Sequence, residues 1–485
     1  MAENTLRDKT VNGVGWSFVD TIAGSGVTFV VSLLLARILS PAEYGLIGMV
    51  TIFITVLSTL VDSGFSTALI RLKDANDVDY STGFYTNLVI SIVSFFLLFL
   101  LAPYIALFFN QPLLRDLVRA MGSIVIVRAF AIVQGAILTK RIDFKSQTKA
   151  SLISSISSGI LGISAALTGF GVWALVIQQI SRHLLNTLYL WLYNKWIPLL
   201  CFSRESFRSM WSFGWKIMIT NLIASIWNEL NQVVIGKCYS PSTLGFYTRA
   251  SQFSSLCASN LTNIIQRVSF PVLSNIQDED ERLKVGYQHV IRNTMLLSFG
   301  FMLGMAACAK SMIYCFVGEK WLDCVPMLQI TCFSMMLYPL HSINLNMLQV
   351  KGRSDLYLKL EIVKKCILVF PLLLGIYIGI YWMLIGGVLA GIICYYLNAY
   401  YSGYLINYRM KEQIFDILPS LFVASSMAAI VYMVGFLPIS LYILFPLQVF
   451  IGTICMITIG EKTQLMEYLE LKGIILQIIK RKMRR

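Results

Sequence analysis

Apolar runs broken by short charged segments recur along nearly the whole chain. Most runs are about 18 to 25 residues long, the length an α-helix needs to cross a bilayer. Read against the charged breaks they predict about fourteen spans. Six cores fall at 14–36, 44–65, 84–109, 117–138, 152–169 and 172–193, and six more at 213–236, 249–273, 294–316, 325–350, 362–380 and 382–406. A final pair is expected at 415–435 and 439–459. The fold class this implies is an all-α polytopic membrane protein.

The pattern repeats itself. Asn12–Gly45 reads NGVGWSFVDTIAGSGVTFVVSLLLARILSPAEYG, and Ser212–Tyr247 reads SFGWKIMITNLIASIWNELNQVVIGKCYSPSTLGFY. Gly15-Trp16 answers Gly214-Trp215, and Ser40-Pro41 with Gly45 answers Ser240-Pro241 with Gly245. Proline fixes φ and ends a helix, and the glycine is expected to permit the backbone reversal that starts the next. Two such segments argue for two parallel six-helix lobes around a central cleft, with an extra C-terminal helix pair. The expected divisions are 1–200 for the first lobe, 201–408 for the second, 409–460 for the added pair and 461–485 for a tail. In that tail Leu465, Leu469, Ile474, Ile475, Ile478 and Ile479 suggest one apolar helix face, followed by Lys480, Arg481, Lys482, Arg484 and Arg485. Such a segment suits the inner membrane surface.

Polar residues inside these runs are costly unless they meet a cavity or another helix. Four spans carry them at helical spacing. The first has Ser17, Thr21, Gly24 and Thr28 beside Asp20, and the second has Thr51, Thr55, Ser58 and Asp62. The seventh has Asn221, Ser225, Asn228 and Gln232 beside Glu229; the eighth has Gln252, Ser255, Ser259, Asn263, Gln266 and then Arg267. Hydrogen bonding between packed helices would explain the Ser and Thr positions. The amide-rich stripes on the seventh and eighth favour a water-filled cleft. Arg128 and Arg182 lie mid-span in the first lobe, and a break is expected at Ser269-Phe270-Pro271. His289 is expected in a loop and His341 near a kink after Pro339, neither with metal-ligand company.

Composition agrees with a membrane protein: 485 residues are 57% hydrophobic and 13% charged, with mean hydropathy +0.71. The net charge of +14 sits in short loops, which argues against nucleic-acid binding and for membrane orientation. Arg71, Lys140, Arg141, Lys145, Arg204, Arg282, Lys351, Arg353 and Arg409 fall in alternate loops, placing both termini in the cytoplasm. Arg7, Asp8 and Lys9 precede an apolar segment too long for a signal peptide, so the first helix is expected to remain. The ten cysteines form no CxxC pair. Most read as small buried residues, and a disulfide between Cys315 and Cys324 is left open.

Several stretches resemble one family. GFYTRASQF (Gly245–Phe253), RVSFPVLSNIQDEDERLKVGY (Arg267–Tyr287), VGEKWLDCVPMLQI (Val317–Ile330), TKRIDFK (Thr139–Lys145) and KGRSD (Lys351–Asp355) are similar to segments of the polysaccharide transporters. These are the Wzx-type flippases of the multidrug/oligosaccharidyl-lipid/polysaccharide exporter superfamily. The resemblance covers nearly the whole chain and is strongest in the second lobe. It implies export of undecaprenyl-diphosphate-linked oligosaccharide (O-antigen, capsule or exopolysaccharide units) across the bacterial inner membrane by alternating access. It further implies coupling to an ion gradient, a monomer, and a polysaccharide polymerase and chain-length regulator as partners. No cofactor, metal or catalytic residue is implied.

A lipid-linked sugar diphosphate needs a polar cleft for its head, a side opening for its tail and cations for its phosphates. Arginine suits phosphate because its planar fork bonds two oxygens. Arg267 and Arg249 are the first candidates, then Arg128 and Arg182, with Asn228, Gln232, Asn263 and Gln266 as further substrate-binding candidates. Asp20, Asp62 and Glu229 are the carboxylates able to carry a coupling ion. A drug/cation antiporter of the same superfamily shares the two-lobe plan, and would favour a lone acidic site over a cationic cleft. A membrane polymerase or ligase of the same pathway would carry a long outward loop with Arg or His.

Overall fold

A computed structural model describes residues 24–473 of the chain. Ser17, Asp20, Thr21 and the basic residues from Lys480 onward lie outside that range. Among the described residues there is no strand. Eight helical stretches are long and apolar enough to cross a membrane, which makes the chain a multi-pass membrane protein. It divides into two compact units, 1–245 and 246–485.

The first unit begins with α1 (Ser25–Ile38), α2 (Pro41–Asp62), α3 (Phe65–Arg71) and α4 (Asp77–Phe109). It continues with α5 (Leu114–Lys140), α6 (Phe144–Leu167), α7 (Val172–Asn194) and α8 (Arg204–Cys238). Pairs α4–α5 and α6–α7 pack closely, α1 lies against α6, and α8 runs along α2 and α4. Leaving the first unit, α9 (Pro241–Asn275) leads into α10 (Asp280–Ala307), α11 (Ala309–Val317), α12 (Cys324–Met335) and α13 (Tyr338–Val350). The second unit ends with α14 (Ser354–Tyr377), α15 (Ile380–Leu405), α16 (Met410–Val434) and α17 (Leu441–Lys462). There α10 packs on α16, α14 on α15, and α16 on α17.

Three local expectations are corrected. Ser40-Pro41 opens α2 rather than closing a helix: Ser40 Oγ accepts from the Glu43 N–H at 3.4 Å, and Glu43 accepts the Ser40 N–H at 2.6 Å. This reciprocal cap suits a proline at the first helical position, where no N–H is needed. Ser240 starts α9 likewise, accepting the Thr243 N–H at 3.2 Å. Gly45 and Gly245 are therefore helical residues and reverse nothing. Second, α9 runs unbroken through Ser269 and Phe270 with Pro271 inside it. The proline supplies no N–H, so the Arg267 carbonyl loses its usual helical donor without the helix ending. Third, His289 lies within α10 rather than in a loop, because Asp280 and Glu281 in the first turn start that helix well before its apolar part.

Each unit secures one loop with the same device. Lys140, at the end of α5, donates to the Leu72 carbonyl at 2.5 Å. Lys351, following α13, donates to the Gln277 carbonyl at 2.7 Å and pairs with Asp280 at 2.6 Å.

Candidate functional site: an intramembrane charge cluster

In the first unit the polar stripes of α2 and α8 meet. Thr59 Oγ1 and Ser225 Oγ are 2.9 Å apart, so this part of each stripe bonds one helix to the other. Three residues further along, α2 ends at Asp62, and Ser63 and Gly64 both take positive φ, 49° and 69°, before α3 resumes. Gly64 allows that kink because its backbone lies directly against Gly214 of α8, where a side chain would collide.

The kink presents Asp62 to α5 and α7. Arg128 is exposed although it lies at the centre of the 27-residue α5, and it sits within electrostatic reach of Asp62. On α7, Arg182 and His183 are half-buried, and His183 lies within electrostatic reach of both Arg128 and Arg182. The register of α7 on α5 is fixed by side-chain bonds, among them that of Asn194 to Gln134 at 2.6 Å. Thr187 donates to the Val127 carbonyl at 3.2 Å, and Trp191 Nε1 to the Phe130 carbonyl at 2.9 Å. An exposed arginine in mid-helix faces either lipid or an aqueous interior. Here Arg128 shares its side of the bundle with Asp62 and His183. One Asp62 oxygen is buried with no hydrogen-bond partner. The cluster thus offers two guanidinium forks, an imidazole and an incompletely satisfied carboxylate inside an apolar bundle. His183 received no weight in the sequence, because only the fold brings it beside Arg128.

The other sequence candidates have surroundings of their own. On α8, Asn228 is exposed, and Glu229 accepts a bond from Gln232 at 2.6 Å, so the pair is local to one helix. In the second unit Asn263 and Arg267 are exposed on α9, and Gln266 donates to Ser342 of α13. Arg249 is only 2% exposed. It donates to Gln252 at 2.7 Å and stacks 5.2 Å from the centre of the Trp321 ring. In this conformation it presents almost no surface to a ligand. Its setting explains two of the sequence motifs at once. Trp321 follows Gly318, whose φ of 95° turns the chain, and the fully buried indole also meets Phe246 at 6.1 Å. The GFYTRASQF and VGEKW stretches are two halves of one packing contact.

Among the described residues no three His, Cys, Asp or Glu side chains converge as a metal site. Cys315 and Cys324 are not joined by a disulfide.

The described residues define an all-helical, multi-pass membrane protein with arginines in mid-helix. The chain is a member of the polysaccharide biosynthesis protein family, which it matches over residues 34–326. It is 26% identical over 377 residues to the lipopolysaccharide biosynthesis protein WzxC of Escherichia coli (strain K12), covering 76% of each chain. It is 24% identical over 355 residues to the teichuronic acid biosynthesis protein TuaB of Bacillus subtilis (strain 168), covering 73% of each. Among solved structures, the lipid II flippase MurJ in its inward closed conformation matches with a TM-score of 0.75 at 14% identity, covering 93% of this chain and 98% of that one. An inward-facing multidrug resistance MATE family transporter matches with a TM-score of 0.61 at 17% identity, covering 79% and 95%. The chain shares its fold with these two structures.

Proposed function

We propose that the chain is a flippase that carries undecaprenyl-diphosphate-linked oligosaccharide across the inner membrane. The observation that carries this reading is the exposed Arg128 in mid-helix, grouped with Arg182, His183 and Asp62 inside the first unit. Two guanidinium groups away from bulk water suit a diphosphate, which accepts paired hydrogen bonds from each fork. The names of WzxC and TuaB place those relatives in glycan assembly, in keeping with such a cargo.

In the proposed cycle the chain crosses the membrane fourteen times with both termini cytoplasmic. Helices within 1–200 and 201–408 act as the two lobes, the pair within 409–460 flanks them, and the lobes alternate access. Arg267 and Asn263 on α9 line the path in the second lobe, with Asn228 and Gln232 on α8. Asp62 or Glu229 carries the coupling ion, and a polymerase receives the product. A drug/cation antiporter is the rival of the same fold. A lone carboxylate would favour it, whereas Asp62 here faces Arg128.

The test uses the full chain in sealed vesicles containing a fluorescent undecaprenyl-diphosphate oligosaccharide. Access of a membrane-impermeant quencher to the inner-leaflet sugar should rise well above that in empty vesicles. No rise, together with gradient-driven movement of an organic cation dye, would establish the antiporter instead.

A further inference from the structure

The loop between α7 and α8 is pinned to the bundle yet turns apolar side chains outward. Lys195 takes a φ of 54° and ends α7. Trp196 then folds inward among Phe84 and Met210, and its Nε1 donates to Asp77 of α4 at 3.0 Å. Its carbonyl accepts from Gln134 of α5 at 3.0 Å. Further on, the Leu199 N–H donates to Ser81 Oγ at 2.8 Å and the Ser203 N–H to Thr82 Oγ1 at 3.1 Å. With the chain held at 196, 199 and 203, side chains between these points are driven to the surface. Ile197 is 73% exposed, Leu200 98% and Phe202 55%. Grouped apolar side chains at the surface mark a place that something apolar covers.

The adjoining face of α8 shows what that cover is. Arg204, Arg208, Trp211, Trp215 and Ile219 follow at steps of three or four residues, and all are exposed. Residues so spaced share one side of a helix, so a single line runs from guanidinium through indole to aliphatic. That is the order of a bilayer interface, with cations at the phosphates, tryptophan below them and hydrocarbon beyond. The bonds to α4 give the same depth independently. Asp77 and Asp79 mark its first turn as lying outside the hydrocarbon, and the loop bonds to Asp77, Ser81 and Thr82. Between 195 and 208 the cations are Lys195, Arg204 and Arg208, and the anion is Glu205. Among the described residues no carboxylate forms an ion pair with these three cations.

We propose that residues 196–202 and the first turns of α8 form a docking surface for anionic phospholipid. Ile197, Leu200 and Phe202 enter among the acyl chains, and Arg204 and Arg208 hold headgroup phosphate. The two arginines stand about 6 Å apart along the helix axis, so their forks reach one phosphate or two adjoining ones. A zwitterionic lipid offers the same phosphate beside its own ammonium, and net negative charge therefore favours the anionic lipid. Lipid held there fixes the depth of α8, the helix that Thr59 ties to α2 through Ser225. The proposal needs only that the chain is embedded in a membrane, and holds for any cargo.

The experiment uses the full chain in phosphatidylcholine nanodiscs, with the native cysteines replaced by serine and a bimane fluorophore on Leu200→Cys. A small fraction of the lipid carries an acyl-chain nitroxide, on either phosphatidylglycerol or phosphatidylcholine. Both should quench the bimane, and the phosphatidylglycerol form should do so at a several-fold lower mole fraction. Arg204→Gln/Arg208→Gln should erase that difference. Arg204→Lys/Arg208→Lys should keep most of it, because a point charge still attracts the headgroup. All four substitutions replace exposed side chains, so protein level should not change. Inorganic phosphate at millimolar concentration should leave the preference intact; its loss would assign the arginines to free phosphate instead. Quenching by neither lipid would mean that the loop tip meets another protein rather than the leaflet. Equal quenching by the two lipids with both arginines present would remove the headgroup site. Any of these three results overturns the proposal.

Discussion

Gly45 lies so close to the carbonyl oxygen of Pro241 that no Cβ fits between them, and Gly245 meets the carbonyl of Pro41 in the same way. The two repeated Ser-Pro-x-x-x-Gly segments are therefore one reciprocal contact between the first turns of α2 and α9. Gly45→Ala or Gly245→Ala must push two backbones apart, at a cost of about 1–3 kcal/mol each. Either variant should lower the melting temperature of the purified chain by several degrees. Gly26→Ala, where nothing lies within 4 Å of the added carbon, should not. Equal melting of all three would show that the contact carries no stability.

The bond between Thr59 and Ser225 makes the α2–α8 stripe partly a packing feature. A double-mutant cycle with Thr59→Val and Ser225→Ala should give a coupling of about 0.6–1.7 kcal/mol, as for other hydrogen bonds within membranes. Ser225→Trp cannot fit against Thr59 and should reduce transport more than Ser259→Trp, since the Ser259 hydroxyl bonds only its own helix, to Ser255 at 2.6 Å. Normal transport by Ser225→Trp would remove α2 and α8 from the path.

Much of this was legible in the sequence for a simple reason. Apolar length and proline position act locally, so α4, α5 and α15 fall where the hydrophobic runs predict them. The repeat was legible too, but the role of its glycines was not, because close approach involves a partner far along the chain. Pro271 misled for the opposite reason: a helix embedded among neighbours tolerates a lost hydrogen bond that would end an isolated one. Arg249 read as a ligand because its type and setting on a polar stripe fit phosphate. Only the fold places Trp321 over it. His183, Glu467 and Glu470 likewise meet their charged neighbours, Arg128, Arg292 and His289 among them, only through the fold.

Orientation is tested with cysteines. Arg353→Cys should react with an impermeant reagent only after the inner side is opened, and Ser242→Cys from outside. Both positions lie at loop ends or in a first helical turn, where a label disturbs little. Labelling of position 353 in intact cells would invert the proposed topology.

The electrostatic proximity of Asp62 and Arg128 lets charge balance be separated from cargo binding. If Arg128 serves only to neutralise Asp62, Arg128→Gln should harm the chain and Asp62→Asn/Arg128→Gln should restore it. On the flippase reading the double variant regains normal protein level but exports at least ten-fold less. Arg128→Lys retains part of the activity, because a point charge replaces the fork. Full export by the double variant would take Arg128 off the path.

Arg249 and Arg267 lie on one helix, and their surroundings predict opposite failures. Arg249 is buried against Gln252 and Trp321, so losing its charge removes the hydrogen bond to Gln252 and the cation stacked on the indole. Arg249→Gln should therefore reduce the amount of folded protein. Arg267 is exposed near the end of α9, four residues before the proline that cannot bond its carbonyl. Removing its side chain disturbs no packing. Arg267→Gln should keep normal protein level and lose most export, while Arg267→Lys keeps the charge without the fork and retains part of it. Export is scored against protein level in the same cells. Full export by both Arg267 variants would mean that this guanidinium only reaches for membrane headgroups and does not hold the diphosphate.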